Sequence, residues 1–122
     1  METKMTEIEI NGIKYIPKDS YQPAVKFGEY PYVVIRADRA GVFAGYLKEK
    51  KADEVTLVNV RRLWYWSGAA SCSELAEKGT SCPDLCKFTA PNREITIKNW
   101  IEILPATEKA RTSIEGVKVW QA

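Results

Sequence analysis

A chain of 122 residues with 45% apolar residues has the length and the material for one domain with its own core. Eighteen basic residues against sixteen acidic ones leave a net charge of +2, too balanced for a protein that grips duplex nucleic acid through its phosphates. Histidine is absent, which removes the commonest general base, every Ser-His or Cys-His pair and most catalytic zinc sites.

Residues 6–18 read as a β-hairpin. Ile8 and Ile10 alternate with glutamates, Asn11-Gly12 is a type I′ turn signal, and a two-residue loop pairs position 10 with 13 and position 8 with 15. Asp19 to Pro31 is turn-rich, with Pro23, Gly28 and Pro31, yet it carries Tyr21, Phe27 and Tyr30, so an ordered loop is expected. Residues 32–66 read as an antiparallel meander. Tyr32-Val33-Val34-Ile35-Arg36 is β-branched, Val42 to Lys48 sets Phe43 opposite in direction to Ala44 and Tyr46, and Glu54 to Val60 alternates again.

The meander ends in Arg61-Arg62-Leu63-Trp64-Tyr65-Trp66, followed by the small residues Ser67-Gly68-Ala69-Ala70-Ser71. Arginine forks onto phosphate oxygens or stacks on rings, tryptophan offers a flat face to a purine, and Gly68 and Ala69 let a backbone approach a ligand closely. The other reading of the same stretch is a strand end that packs its tryptophans into the core.

After Gly68 the period changes. Ser73 reads as the N-cap of a short helix over 73–79 with Gly79 as its stop, and its N-terminus would offer free N–H groups to a phosphate. Residues 80–92 read as loop. They hold Cys82 and Cys86, whose C-x₃-C spacing suits structural zinc, but with Cys72 only three cysteines are present and Asp84 would have to complete the set. No metal and no cofactor are expected, and the odd cysteine count points to reduced thiols. Strands follow over 94–104, then a helix over 107–115 capped by Thr107, and an apolar tail of Val117, Val119 and Trp120 suited to docking. The sum is an α+β domain spanning 1–122, an antiparallel sheet of about six strands with two short helices. No apolar run is long enough to span a bilayer and no signal-peptide core opens the chain, so a cytoplasmic protein is expected.

Four stretches carry a resemblance: Gly41-Val42-Phe43-Ala44-Gly45-Tyr46-Leu47, Arg61 to Ser71, Ile101-Glu102-Ile103-Leu104-Pro105-Ala106-Thr107-Glu108-Lys109-Ala110, and the closing Gly116-Val117-Lys118-Val119-Trp120. From about Pro31 to Trp120 the chain resembles small phage and prophage proteins that include the anti-Thoeris sponges of the first type. The resemblance implies a binding protein, not an enzyme. Such a protein sequesters, without cleaving it, a cyclic ADP-ribose isomer made by a TIR-domain enzyme, in the cytoplasm of the infected bacterium. It also implies a homodimer or larger assembly, and in some relatives a hold on cyclic oligonucleotide signals. Such a ligand asks for ring faces and cations. Phe43, Trp64, Trp66 and Phe88 are the candidates to stack on adenine, and Asn92 to bond its edge. Arg61, Arg62, Lys109 and Arg111 are the candidates for pyrophosphate, with Gly68 and Ala69 supplying close backbone. The competing functions are an aromatic-rich module that binds a protein, and an enzyme that uses Asp or Glu as base.

Overall fold

The computed structural model describes residues 8–10, 13–15 and 22–121. Strand β1 (Ile8–Ile10) pairs antiparallel with β2 (Ile13–Tyr15), Ile8 opposite Tyr15 and Ile10 opposite Ile13. This is the register that a two-residue loop enforces. The loop, Asn11-Gly12, and the rest of the expected hairpin lie outside the described residues.

The meander is present as β3 (Tyr32–Ala37), β4 (Gly41–Lys50) and β5 (Glu54–Tyr65). After it come helix α1 (Cys72–Lys78), a single 3₁₀ turn at Pro83–Leu85, β6 (Lys87–Phe88), β7 (Asn92–Lys98), β8 (Trp100–Pro105) and helix α2 (Glu108–Glu115). Strands β3 to β8 form one antiparallel sheet, ordered β6-β5-β4-β3-β8 with β7 also on β5. At twelve residues β5 serves as the spine. It pairs β4 along one side, and on the other it pairs β7 along Glu54–Val60 and β6 at Leu63 and Tyr65. The fold is α+β, as alternation and capping signals imply. Strand β6 falls inside the segment read as loop, because two residues are too few for a period to show.

A bulge in β5 organises the rest. Ala44 pairs with Arg61 and Tyr46 with Val58, so Gly45 faces two residues, Asn59 and Val60. Asn59 adopts a φ of +49°, a left-handed conformation that asparagine tolerates better than most residues. Gly45 is required there: a Cβ on it would come within 2.8 Å of Val60 Cβ. The extra residue shifts the phase of the strand. Val55, Leu57 and Val60 join one apolar layer, with Val33, Ile35, Phe43 and Ile97. Leu63 and Phe88 join the other, with Tyr32, Val34 and Ala44, and there the helices add Leu75, Ala76, Ala110 and Ile114. Burying a leucine or isoleucine such as Leu75 or Ile114 contributes about 1.5–3 kcal/mol.

Both helices are stopped by identifiable caps. Helix α1 begins one residue earlier than read, at Cys72, and its N-cap is Ser71, two residues before Ser73, since Ser71 Oγ accepts from Glu74 N–H and Glu74 Oε1 accepts from Ala70 N–H at 2.6 Å. Serine followed three residues later by glutamate is the capping-box spacing. Thr107 caps α2 by accepting from Ala110 N–H, and its hydroxyl donates to Glu77 O, which fastens the start of α2 to the end of α1. Among the described residues, no helix is long and apolar enough to cross a membrane.

A candidate aromatic and cationic site

The last β4–β5 pair is Phe43 with Arg62, so Trp64 and Tyr65 project past the end of that ladder. They are 60% and 50% exposed, an unusual state for such large rings. The C-terminal segment comes back to meet them. Val119 bridges Phe88 in parallel, and Trp120 N–H donates to Phe88 O at 2.9 Å. This places the Trp120 indole stacked on Trp64, centroids 5.5 Å apart and planes 20° from parallel. Lys87, on the short β6 between them, holds its ammonium 5.4 Å from the Trp64 ring, 5.5 Å from Trp120 and 5.9 Å from Tyr65. One cation over three rings is an electrostatically favourable cluster.

Grooves open on both sides of the stacked pair. One of about 720 Å³ runs along Pro83, Asp84 and Cys86 to Lys118, Val119, Trp120 and Gln121. The other, about 440 Å³, is lined by Ala40, Gly41, Val42, Arg62, Leu63 and Trp64. Arg62 lies flat on Phe43, its guanidinium carbon 4.5 Å from the ring centroid, and donates one N–H to Ala40 O at 2.7 Å. Its other N–H groups have no side-chain acceptor among the described residues. Both grooves fall within the size range of small-molecule sites.

The structure divides the residues proposed from sequence. It brings Phe43, Arg62 and Trp64 together, with Phe43 buried as the support of Arg62 rather than as a free face. It turns Arg61 inward. Arg61 is 3% exposed, and Nε donates to Thr89 O, Nη1 to Ile114 O and Val117 O, and Nη2 to Phe88 O. Those acceptors include Ile114 O in the last turn of α2, so the cation lies at the negative end of that helix. Burial without a carboxylate partner lowers its pKa. Phe88 is fully buried beneath it, 5.6 Å from the guanidinium, and cannot stack on a ligand.

The remaining candidates stand elsewhere. Trp66 and Ala69 pack partly buried against the helix-side core. Gly68 has a φ of +87°, and a Cβ there would lie 2.6 Å from Cys82 N, so it serves close packing of the 80–82 loop. Ser81 N–H donates to Gly68 O, and the Thr80 hydroxyl donates to Ser67 O. At the start of α1 the N–H groups of Ala70 and Glu74 are taken by the Glu74 and Ser71 side chains. Asn92 is exposed at the start of β7, opposite Val60. Lys109 is exposed on α2, while Arg111 is spent on Glu108 at 2.7 Å and Glu115 at 2.8 Å.

Sequence reasoning missed Lys87 and Lys118 and gave Trp120 only a docking role. Lys87 had a signal: it stands between the apolar residues Cys86 and Phe88, so by strand parity it points outward where they point inward. Arg61 sits between Val60 and Leu63, both of which are buried.

The family described as a domain of unknown function, DUF6948, matches residues 30–114. No curated protein and no solved structure matches the chain.

Proposed function

For a chain that belongs to the DUF6948 family, described as a domain of unknown function, we propose a binding role: capture of a nucleotide-like signal, in the form of a cyclic ADP-ribose isomer, without cleavage. The observation that carries this reading is the exposed Trp64–Trp120 stack under Lys87, with Arg62 in the adjoining groove. A purine stacks on an outer indole face. Its phosphates meet Lys87, Lys118 or Arg62, all on rigid strands or on the strand-paired tail. Stacking of a base on an aromatic side chain contributes about 1–3 kcal/mol, and a site already assembled loses little affinity to ordering. No proton transfer is required, so the missing histidines cost such a protein nothing. Sequestration from a TIR-domain enzyme, assembly as a homodimer or larger, and residence in the cytoplasm of an infected bacterium belong to the same proposal and rest on the resemblance of Arg61 to Ser71 and its companion stretches.

Calorimetric titration with cyclic ADP-ribose isomers and cyclic oligonucleotides tests the reading. The expected result is saturable binding, intact ligand released on heating, and a tenfold or greater loss of affinity in Trp64→Ala. A changed ligand after heating would make the protein an enzyme, and silence toward every ligand would sink the proposal. One observation favours a second reading, a protein-docking surface: Val119, 39% exposed, adds apolar area beside Trp120. A thermal shift with the nucleotide separates the two, because a protein-docking surface gives none.

A further inference from the structure

A third cavity shares no lining residue with the two grooves beside the aromatic platform. It measures about 230 Å³ and is lined by Tyr32, Asn59, Arg61, Pro91 and Glu115. Tyr32 and Arg61 are its buried floor, at 2% and 3% exposure, whereas Asn59, Pro91 and Glu115 are exposed at the rim. The Tyr32 hydroxyl is shut from solvent and has no hydrogen-bond partner among the described residues. Buried polar groups are almost always paired, so an orphan hydroxyl on the floor of a cavity with room for several waters marks a place where a partner arrives from outside.

The unspent bonding capacity around this cavity is of one kind. Arg61 donates four of its five N–H groups to backbone carbonyls, and no carboxylate lies within ion-pair distance of it among the described residues. Glu115 is engaged on both oxygens, by Arg111 at 2.8 Å and by the Tyr46 hydroxyl at 2.8 Å, and so is a hydrogen-bond partner of neither Arg61 nor Tyr32. Burial, with Glu115 adding to it, raises the pKa of Tyr32 and keeps its proton available to donate. What remains is the Tyr32 O–H, one Arg61 N–H with its cationic charge, and at the rim the carboxamide of Asn59, the residue in the left-handed position of the bulge.

We propose that this cavity is a second ligand site, which takes a small oxyanion of the carboxylate or phosphate class on Tyr32 and Arg61. Its volume is below that of ordinary small-molecule pockets and too small for a whole dinucleotide. It shares no lining residue with the two grooves of the aromatic platform, and the proposal does not rest on the function proposed for them.

The experiment uses the full chain, titrated with inorganic phosphate and with acetate at constant ionic strength in chloride, and read by melting temperature and calorimetry. At least one anion gives a saturable rise in melting temperature; whichever binds tighter names the source. Tyr32→Phe removes only the orphan hydroxyl. It folds as stably as the parent in chloride and loses tenfold or more in anion affinity. Asn59→Gly keeps the bulge conformation without the carboxamide and weakens the anion several-fold, which decides the matter should Tyr32→Phe fail to fold. Lys87→Ala leaves the anion response intact. The proposal is overturned by no saturable response to either anion, by an unchanged response in Asn59→Gly and Tyr32→Phe, or by a response that disappears in Lys87→Ala, which would move the anion to the platform.

Discussion

At the scale of single residues, adjacent arginines have opposite fates because a strand alternates. Arg61 points under α2 and its side chain satisfies four carbonyl groups; Arg62 points the other way, over Phe43, beside a groove. Removing the Arg61 guanidinium takes the side-chain donor from the carbonyls of Thr89 and Val117, and one of two donors from those of Phe88 and Ile114, which keep Trp120 N–H and Val117 N–H. Each such loss costs about 1–3 kcal/mol, so Arg61→Ala is expected to destabilise by at least about 3 kcal/mol and to lower the urea midpoint sharply. Arg61→Lys rescues only part of it, since an ammonium cannot span four acceptors in the planar fork of a guanidinium. Arg62→Ala loses one bond and one contact with Phe43, on the order of 1 kcal/mol, and folds. If Arg61→Ala melts like the parent, the inward role assigned to Arg61 is wrong. The doublet looks uniform as letters. Its division depends on parity, and parity here depends on the bulge two residues upstream.

Elements show where the sequence was readable and where it was not. The meander and the hairpin register follow from local alternation and turn chemistry, and α2 follows from Thr107 and the spacing of Ala110 and Ile114, so all of these were legible. The bulge was not. Glu54 to Val60 reads as uninterrupted alternation, and only the pairing with Gly45 shows that one residue is extra. A β-branched residue at Asn59 would have to enter the left-handed region, so Asn59→Val is expected to cost about 1–2 kcal/mol, measured by thermal melting against Asn59→Gly, which costs far less. A second element-level tie joins α2 to the loop before β3. Glu108 accepts from Arg111 and from Val25 N–H at 2.7 Å, and these contacts hold its pKa at about 2, against an ordinary value of 4.5. A depressed carboxylate pKa contributes stability that is complete above the ordinary value and is lost as pH falls toward 2. Glu108→Gln should therefore cost about 1 kcal/mol at pH 7, after discount for its partial exposure, and nothing near pH 2. Melting curves of both proteins across that range give the difference directly, and a constant gap would refute the tie.

On the scale of the whole molecule, the candidate site is assembled from parts far apart in the chain: β5 supplies Trp64, β6 supplies Lys87 and the tail supplies Trp120. This is why the aromatic stretch could be recognised in the sequence while its partners could not. Local pattern carries no information about which distant segment returns to a strand end. The same return shields structure. Val117 is 3% exposed and its carbonyl accepts from Arg61, Val119 bridges Phe88, and Trp120 N–H donates to Phe88 O, so the tail closes the edge at β6 and completes the core in one stroke. Site and stability are then coupled but separable. Trp120→Ala removes the stack yet leaves the backbone pairing, and aromatic pairs add about 0.5–1.5 kcal/mol beyond their burial. Combined with Trp64→Ala, it should show a coupling of that size in a double-mutant cycle on unfolding free energy. Val117→Asp, by contrast, puts a charge into the buried layer beside the Arg61 acceptors and should destabilise by several kcal/mol whatever ligand is present. Nucleotide affinity separates the two: Trp120→Ala loses affinity while the fold persists, and Val117→Asp loses both together. Equal affinity in parent and Trp120→Ala would mean that the stacked indoles brace the tail and meet no ligand.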